Sequence, residues 1–219
     1  MPDQTHKWEF LQQPEKMGMA TDMFEKTLSQ SDFRDEAILV REALQNCKDA
    51  RPADSTLPAQ ATIRKRKLTG PAVKHIAEVL KIGDCKDRAD HLNNKERRKQ
   101  FTQLLNGKVP LSVLEISDEN TIGLGGEWNG HTEDDHFSRL VINLGASLKS
   151  EGGGSFGFGK TVFAQQSRLN LVVYYSVFEP TDRSEKAHAR LMAVWLMKPH
   201  SYNNLPQTGF GFFGQPNPK

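Results

Sequence analysis

The chain has 219 residues, 37% of them hydrophobic and 26% charged, with a formal net charge of +2. That suits one sizeable globular domain and excludes both a disordered chain and a protein that binds polyanions by bulk charge. Cys47 and Cys85 give no disulfide framework, the opening MPDQTHKWEF has no apolar signal core, and no apolar run has membrane-helix length, so a cytoplasmic protein without a membrane partner is expected.

Residues 1–20 are polar, with Trp8 and Phe10 as lone anchors, and read as an arm rather than an element. Thr21 or Asp22 caps a short helix through Leu28, which sets residues 1–30 apart from a domain over 31–219. Ser31 or Asp32 caps a longer helix to about Ala50, with Asp35 and Glu36 in its first turn and Pro52 and Pro58 beyond its end. On that helix Glu42, Asn46 and Asp49 stand at i, i+4 and i+7 and share a face. Leu39, Val40, Ala43, Leu44, Cys47 and Ala50 fill the neighbouring arc, while Arg41, Gln45 and Lys48 face water. The polar triad is thereby expected at the edge of the buried stripe, where it can line a cleft or simply decorate an amphipathic helix.

Ala61 to Leu68 (ATIRKRKL) reads as a solvated edge strand guarded by lysine, with a nucleic-acid patch at RKRK as the alternative. Pro71 opens a helix to Leu80 that buries Val73, Ile76, Ala77 and Leu80. Asp87 to Leu105 is a second helical stretch, charged at KERRK and stopped by Asn106-Gly107. Val109 to Ile116 is a strand of buried character that ends at Ser117-Asp118 and leads into ENTIGLGGEWNG. HTEDDH at 131–136 has no metal-ligand spacing and reads as a solvated loop. Phe137 to Leu148 has helical periodicity, and a glycine-rich loop, EGGGSFGFGKT, follows. Val162 to Ser167 forms a helical turn, and Leu169–Phe178 and Ala189–Met197 form a hairpin of strands. The final TGFGFFGQPNPK reads as a loop leading out of the sequence.

Gly154 to Thr161 matches the phosphate-cradling pattern GxxxxGK[ST]. That motif requires a strand before it, a helix after it and a further parallel sheet beyond, and too little chain follows Thr161 to build one. A second reading takes three stretches together. EALQNCKDA is similar to ExxxNxxDA, SDENTIGL to a DxGxG loop, and GGGSFGFGK to GxxGxG. In this order the chain resembles, over roughly residues 30–200, the nucleotide-binding domain of the GHKL ATPases, the superfamily of gyrase B, the Hsp-ninety chaperones, MutL, MORC proteins and the histidine kinases.

The resemblance implies a Bergerat ATP-binding fold, an α/β (α+β) two-layer sandwich with a mostly antiparallel mixed sheet and helices on one face. It implies ATP and Mg²⁺ as ligands and a nucleotide-gated dimerisation or conformational switch. Glu42 would be the general base, Asn46 the Mg²⁺ ligand and Asp49 its support. Asp118 would accept the adenine amino group and Gly123 would let the backbone approach the base. Gly157, Gly159 and Lys160 would hold the phosphates, under a lid running from about Gly125 to Gly154. Glu42 sets the chain apart from the histidine-kinase branch, which lacks that glutamate.

Two departures stand out. Asn120 occupies the place of a glycine, and Gly123 comes one residue late. No strand bearing the superfamily's closing threonine is evident after Met197, so a chain truncated at its C-terminal end, with further domains beyond, is expected. The alternatives are a non-catalytic nucleotide- or partner-binding module, and nucleic-acid binding through Arg64–Lys67 and Lys95–Lys99, including DNA as in gyrase-like and MutL-like relatives.

Overall fold

The computed structural model describes residues 6–13, 35–92, 95–126, 136–137, 140–141, 158–178 and 189–214. The chain is α+β, with antiparallel sheets and several helices. Strand β1 (Lys7–Gln12) is followed by helix α1 (Asp35–Asp49), strand β2 (Gln60–Leu68), helix α2 (Pro71–Val79), a 3-10 helix (Ile82–His91) and helix α3 (Lys95–Asn106). Strand β3 (Leu111–Glu119), helix α4 (Phe158–Gln166) and strands β4 (Leu171–Val177), β5 (Ala189–Leu196), β6 (His200–Tyr202) and β7 (Leu205–Gly214) complete the order. The main sheet runs β1-β7-β5-β4, with β6 on β7, and β2 pairs with β3 in a separate two-stranded ribbon.

The core sits on one face of the main sheet. Val73, Ala77 and Leu80, one stripe of the α2 segment, join Ile82 and Cys85 of the 3-10 helix and Phe101 and Leu104 of α3. They pack onto Ala193, Trp195 and Phe213, which alternate with residues of the opposite face. That other face, through Val194, Leu196, Phe210 and Phe212, holds Phe137 and Val141. Trp195 is fully buried, and its indole N–H donates to the Leu169 carbonyl at 2.8 Å. Phe101 and Trp8 lie against its ring, with centroids 5.4 and 5.5 Å away. Trp8 in turn donates to the Leu80 carbonyl at 2.7 Å and so ties β1 to the end of α2.

The β4–β5 hairpin, the strand in 61–68 and the helix opened by Pro71 form as expected. Gly107, at φ 60, closes α3 with its N–H on the Gln103 carbonyl. Four expectations are corrected. The supposed arm contains β1, because Trp8 and Phe10 alternate with polar residues and add an edge to β7. The stretch 87–105 is not one helix: a 3-10 segment ends at His91, and α3 begins at Lys95. Strand β3 continues through Ser117 and Asp118 to Glu119, because its ladder with β2 extends to Gln60.

The fourth correction concerns TGFGFFG, which is no exit loop. It forms most of β7, between β1 and β5, where glycines at 209 and 211 make room for neighbours. A Cβ at Gly209 would lie 2.3 Å from the Met197 carbonyl oxygen, and one at Gly211 would meet the Phe10 ring. Composition marked this strand as loop, whereas close packing is what its glycines permit. A strand therefore does follow Met197.

The short helix expected near Leu28, the caps at Ser31 and Asp32 and most of HTEDDH lie outside the described residues. No described helix is long and apolar enough to cross a membrane.

Replacing Trp195 with Ala should cost about 3–5 kcal/mol. Trp195→Phe, which chiefly leaves the Leu169 carbonyl without its donor, should cost about 1–3 kcal/mol. Urea unfolding of the two variants beside wild type separates the packing and hydrogen-bond contributions.

Candidate functional site

Helix α1 is turned differently from the orientation its hydrophobic pattern suggests. Ile38, Leu39, Ala43, Cys47 and Ala50 are buried as their character demands. Glu42 is buried with them at 8% exposure and Asn46 is half-buried, whereas Val40 and Leu44 are 40% and 51% exposed. Glu42 and Asn46 thus lie within the inner face, between Ile38 on one flank and Leu39, Ala43 and Cys47 on the other, and not at its edge. Asp49 is exposed.

The reason is that this face meets two neighbours. Ile38 and Leu39 join Val162 of α4 and Ile116 of β3 in a small apolar cluster, and the end of the helix meets the loop that follows β3. A buried carboxylate needs compensation, which Arg41 supplies with Nη2 2.9 Å from Glu42 Oε1. The other carboxylate oxygen has no partner among the described residues.

Asp118 lies two residues beyond Ile116 on β3 and so shares its face of the strand. Its proximity to α1 shows in Cys47: burial, and then the Asp118 carboxylate, push that thiol above its ordinary value. After β3 the chain turns through Asn120 at φ 59 and Gly123 at φ 70. Asn120 takes the left-handed conformation that a glycine would otherwise supply, and its amide donates to the Pro58 carbonyl at 2.9 Å. The Ile122 N–H donates to the Ala50 carbonyl at 2.9 Å, joining the loop to the end of α1. The Leu124 N–H donates to Ser176 Oγ at 2.8 Å, and Arg190 donates to the carbonyls of Leu124 and Gly126 at 3.3 and 2.7 Å. The Arg190 guanidinium also lies over the rings of Phe137 and Phe178.

The structure therefore brings Glu42, Asn46 and Asp118 onto elements that converge, with Gly123 in the loop that joins them. Gly159 and Lys160 fall in the first turn of α4, which packs on α1 and begins four residues before Val162. Gly157 and most of the expected lid lie outside the described residues. Ser176 and Arg190, which hold the loop, had no motif to mark them; the one sequence signal is an arginine inside the apolar run ARLMAVWL.

Glu42 and Asn46 form an oxygen-only donor set one helical turn apart, which suits a hard cation such as Mg²⁺ better than a soft metal. No described group of three His, Cys, Asp or Glu is arranged for a metal. Two open clefts lie elsewhere. One, of about 420 Å³, lies between α3 and the end of α4 beside Arg97 and Gln166, and the other, of about 510 Å³, beside Lys74 and Lys108. Neither is lined by Glu42, Asn46 or Asp118.

No family model, no curated protein and no solved structure matches the chain.

Gly123→Ala should dislodge the loop. A Cβ there would lie 2.4 Å from the Val177 carbonyl oxygen on a backbone of positive φ. We expect a cost of about 1–3 kcal/mol and faster hydrogen exchange at Ile122 and Leu124, with the amides of β5 unchanged.

Proposed function

We propose that the chain is a Mg²⁺-dependent ATP-binding domain of the GHKL type, with a Bergerat fold, that hydrolyses ATP and uses the nucleotide state as a conformational or dimerisation switch. One observation carries this reading: α1 buries Glu42 and half-buries Asn46 while leaving Val40 and Leu44 in water. Hydrophobic burial alone would rotate the helix the other way. A carboxylate and an amide kept on the inner face have the character of a site rather than of a core.

In this reading Glu42 accepts a hydrogen bond from the attacking water and takes its proton through the oxygen that Arg41 leaves free. Asn46 offers its amide oxygen to the cation, and Asp49 supports it from the exposed end of the helix. The bound Mg²⁺–triphosphate supplies the electrophilic phosphoryl group and its charge compensation. Asp118 accepts from the adenine amino group and so discriminates against guanine, whose carbonyl at that place would face a carboxylate. Gly123 keeps the backbone close to the base, while Gly159 and Lys160, at the start of α4, take the phosphates together with Gly157, which precedes that helix in sequence.

A second reading, nucleotide binding without turnover, is favoured by the engagement of Glu42 with Arg41, since one carboxylate oxygen is already committed.

Calorimetric titration tests both. Wild type should bind Mg²⁺-ATP saturably and at least tenfold more tightly than Mg²⁺-GTP. Asp118→Asn should weaken ATP binding by about tenfold or more, a loss on the order of 1.4 kcal/mol. Glu42→Ala should retain ATP binding and abolish phosphate release; unchanged release in that variant would remove Glu42 from the chemistry. A folded wild type that ignores ATP overturns the proposal, and ATP binding with no phosphate release leaves the second reading.

A further inference from the structure

Away from the nucleotide-site residues, three segments meet at a second polar cluster. Arg88 and His91 come from the last turn of the 3-10 helix, His200 and Tyr202 from β6, and Phe10 from edge strand β1. The Arg88 guanidinium lies between two aromatic faces, 3.9 Å from the Phe10 centroid and 3.8 Å from that of Tyr202. Its Nη1 is 2.9 Å from His200 Nε2. The rings of His91 and His200 stack at 4.0 Å with 13° between their planes.

Guanidinium has donors only, so His200 Nε2 must be the acceptor and the ring must be neutral there. Its one proton then sits on Nδ1, which lies 2.8 Å from the Lys198 carbonyl oxygen and can donate to it. Both ring nitrogens are used, and the tautomer follows from the partners. The Lys198 N–H in turn donates to the His91 carbonyl at 3.2 Å, closing the link between the 3-10 helix and the β5–β6 connection. The pair is not a metal site: a metal lies in the plane of each imidazole that binds it, and two near-parallel planes 4.0 Å apart share no such point.

We propose that Arg88, His91 and His200 form a proton-operated clasp that holds the 3-10 helix onto β6 and β1 at neutral pH and opens in mild acid. A proton on His200 Nε2 removes the acceptor that Arg88 uses and sets two cations face to face. A proton on His91 adds a third charge to the same stack. The groups that bear on the pair are Arg88 and Asp90 on the 3-10 helix, Arg98 on α3 and the Lys198 carbonyl beside β6, with Tyr202 of β6 and Cys85 of the 3-10 helix bearing on Arg88; β1 contributes the uncharged Phe10.

Burial lowers both histidines below their ordinary range, with Arg88 acting in the same direction on each. On His91, Arg98 adds to this and Asp90 opposes it; on His200, His91 adds to it and the bond to Lys198 opposes it. For a histidine depressed in the folded state, the stabilisation is complete above the unfolded value of about 6.5 and is lost as pH falls through it towards the folded value.

The test is residue-resolved. At neutral pH, ¹⁵N NMR should show His200 as the Nδ1–H tautomer, titrating below the ordinary histidine range. Between pH 7.5 and 5.5, hydrogen-exchange protection of the Lys198 amide should fall several-fold, while that of Ile122, on the distant α1 loop bond, holds. His200→Gln keeps an acceptor for Arg88 without a titrating group at that position and should cut the acid loss of Lys198 protection to the smaller part that His91 contributes. An Nε2–H tautomer, titration at or above the ordinary value, or an equal acid loss in His200→Gln would overturn the clasp. The wild-type spectrum decides alone should that variant not fold.

Discussion

Trp195 is the constraint on which the main sheet depends. An indole buried to this degree must satisfy its N–H, and it does so on the Leu169 carbonyl at the entry to β4. That bond, with the Leu196 N–H donating to the Asn170 carbonyl at 3.0 Å, fixes where α4 ends and β4 begins. Asn170 accepts the left-handed conformation needed there, at φ 53. From the ring outward, Phe101 brings α3 onto the sheet and Trp8 brings β1. A single buried side chain thus sets the position of the strand pair, the helical layer and the N-terminal edge.

The region of α1 is built by different means. Its apolar cluster is small, with Ile38, Leu39 and Val162 buried and Ile116 and Phe163 beside them. The rest of its attachment is polar and specific, through Ile122 to Ala50, Leu124 to Ser176 and Arg190 to the loop carbonyls. Directional bonds place a loop accurately while contributing little to global stability. An element attached this way can shift without opening the main core, which is what a switch coupled to a ligand requires. The division of labour between Trp195 and the α1 loop separates a part held by packing from a part held by directional bonds.

Much of this was legible in the sequence wherever one face was apolar and periodic. The β4–β5 hairpin and α2 follow from spacing alone. The failures at β1 and β7 share a cause: each strand took its identity from a distant partner. β1 has only Trp8 and Phe10 to mark it, and it exists because β7 offers an edge. β7 has glycines where close approach, not a turn, is required. For the candidate site the sequence offers residues but not their orientation. The heptad-like pattern of α1 placed Val40 and Leu44 inside, and only the bonds at Ala50 and the cluster at Ile38 rotate the helix so that Glu42 faces inward.

The loop after β3 shows why Asn120 and Gly123 are not equivalent replacements for one another. Both have positive φ, so both positions disfavour ordinary side chains. At Asn120 the side chain is exposed and has a use, since its amide bonds to the Pro58 carbonyl and holds the start of the turn against the loop that precedes β2. A glycine there would adopt the angle freely but would lose that tether and add chain entropy to the unfolded state. At Gly123 no such choice exists, because a Cβ would strike the Val177 carbonyl oxygen and crowd Ser176 Oγ, the acceptor for the next residue's amide. The departure from a glycine pattern at one position and the retention of glycine three residues later follow from a single geometry, with room for a side chain on one side of the turn and a strand pressed against the other.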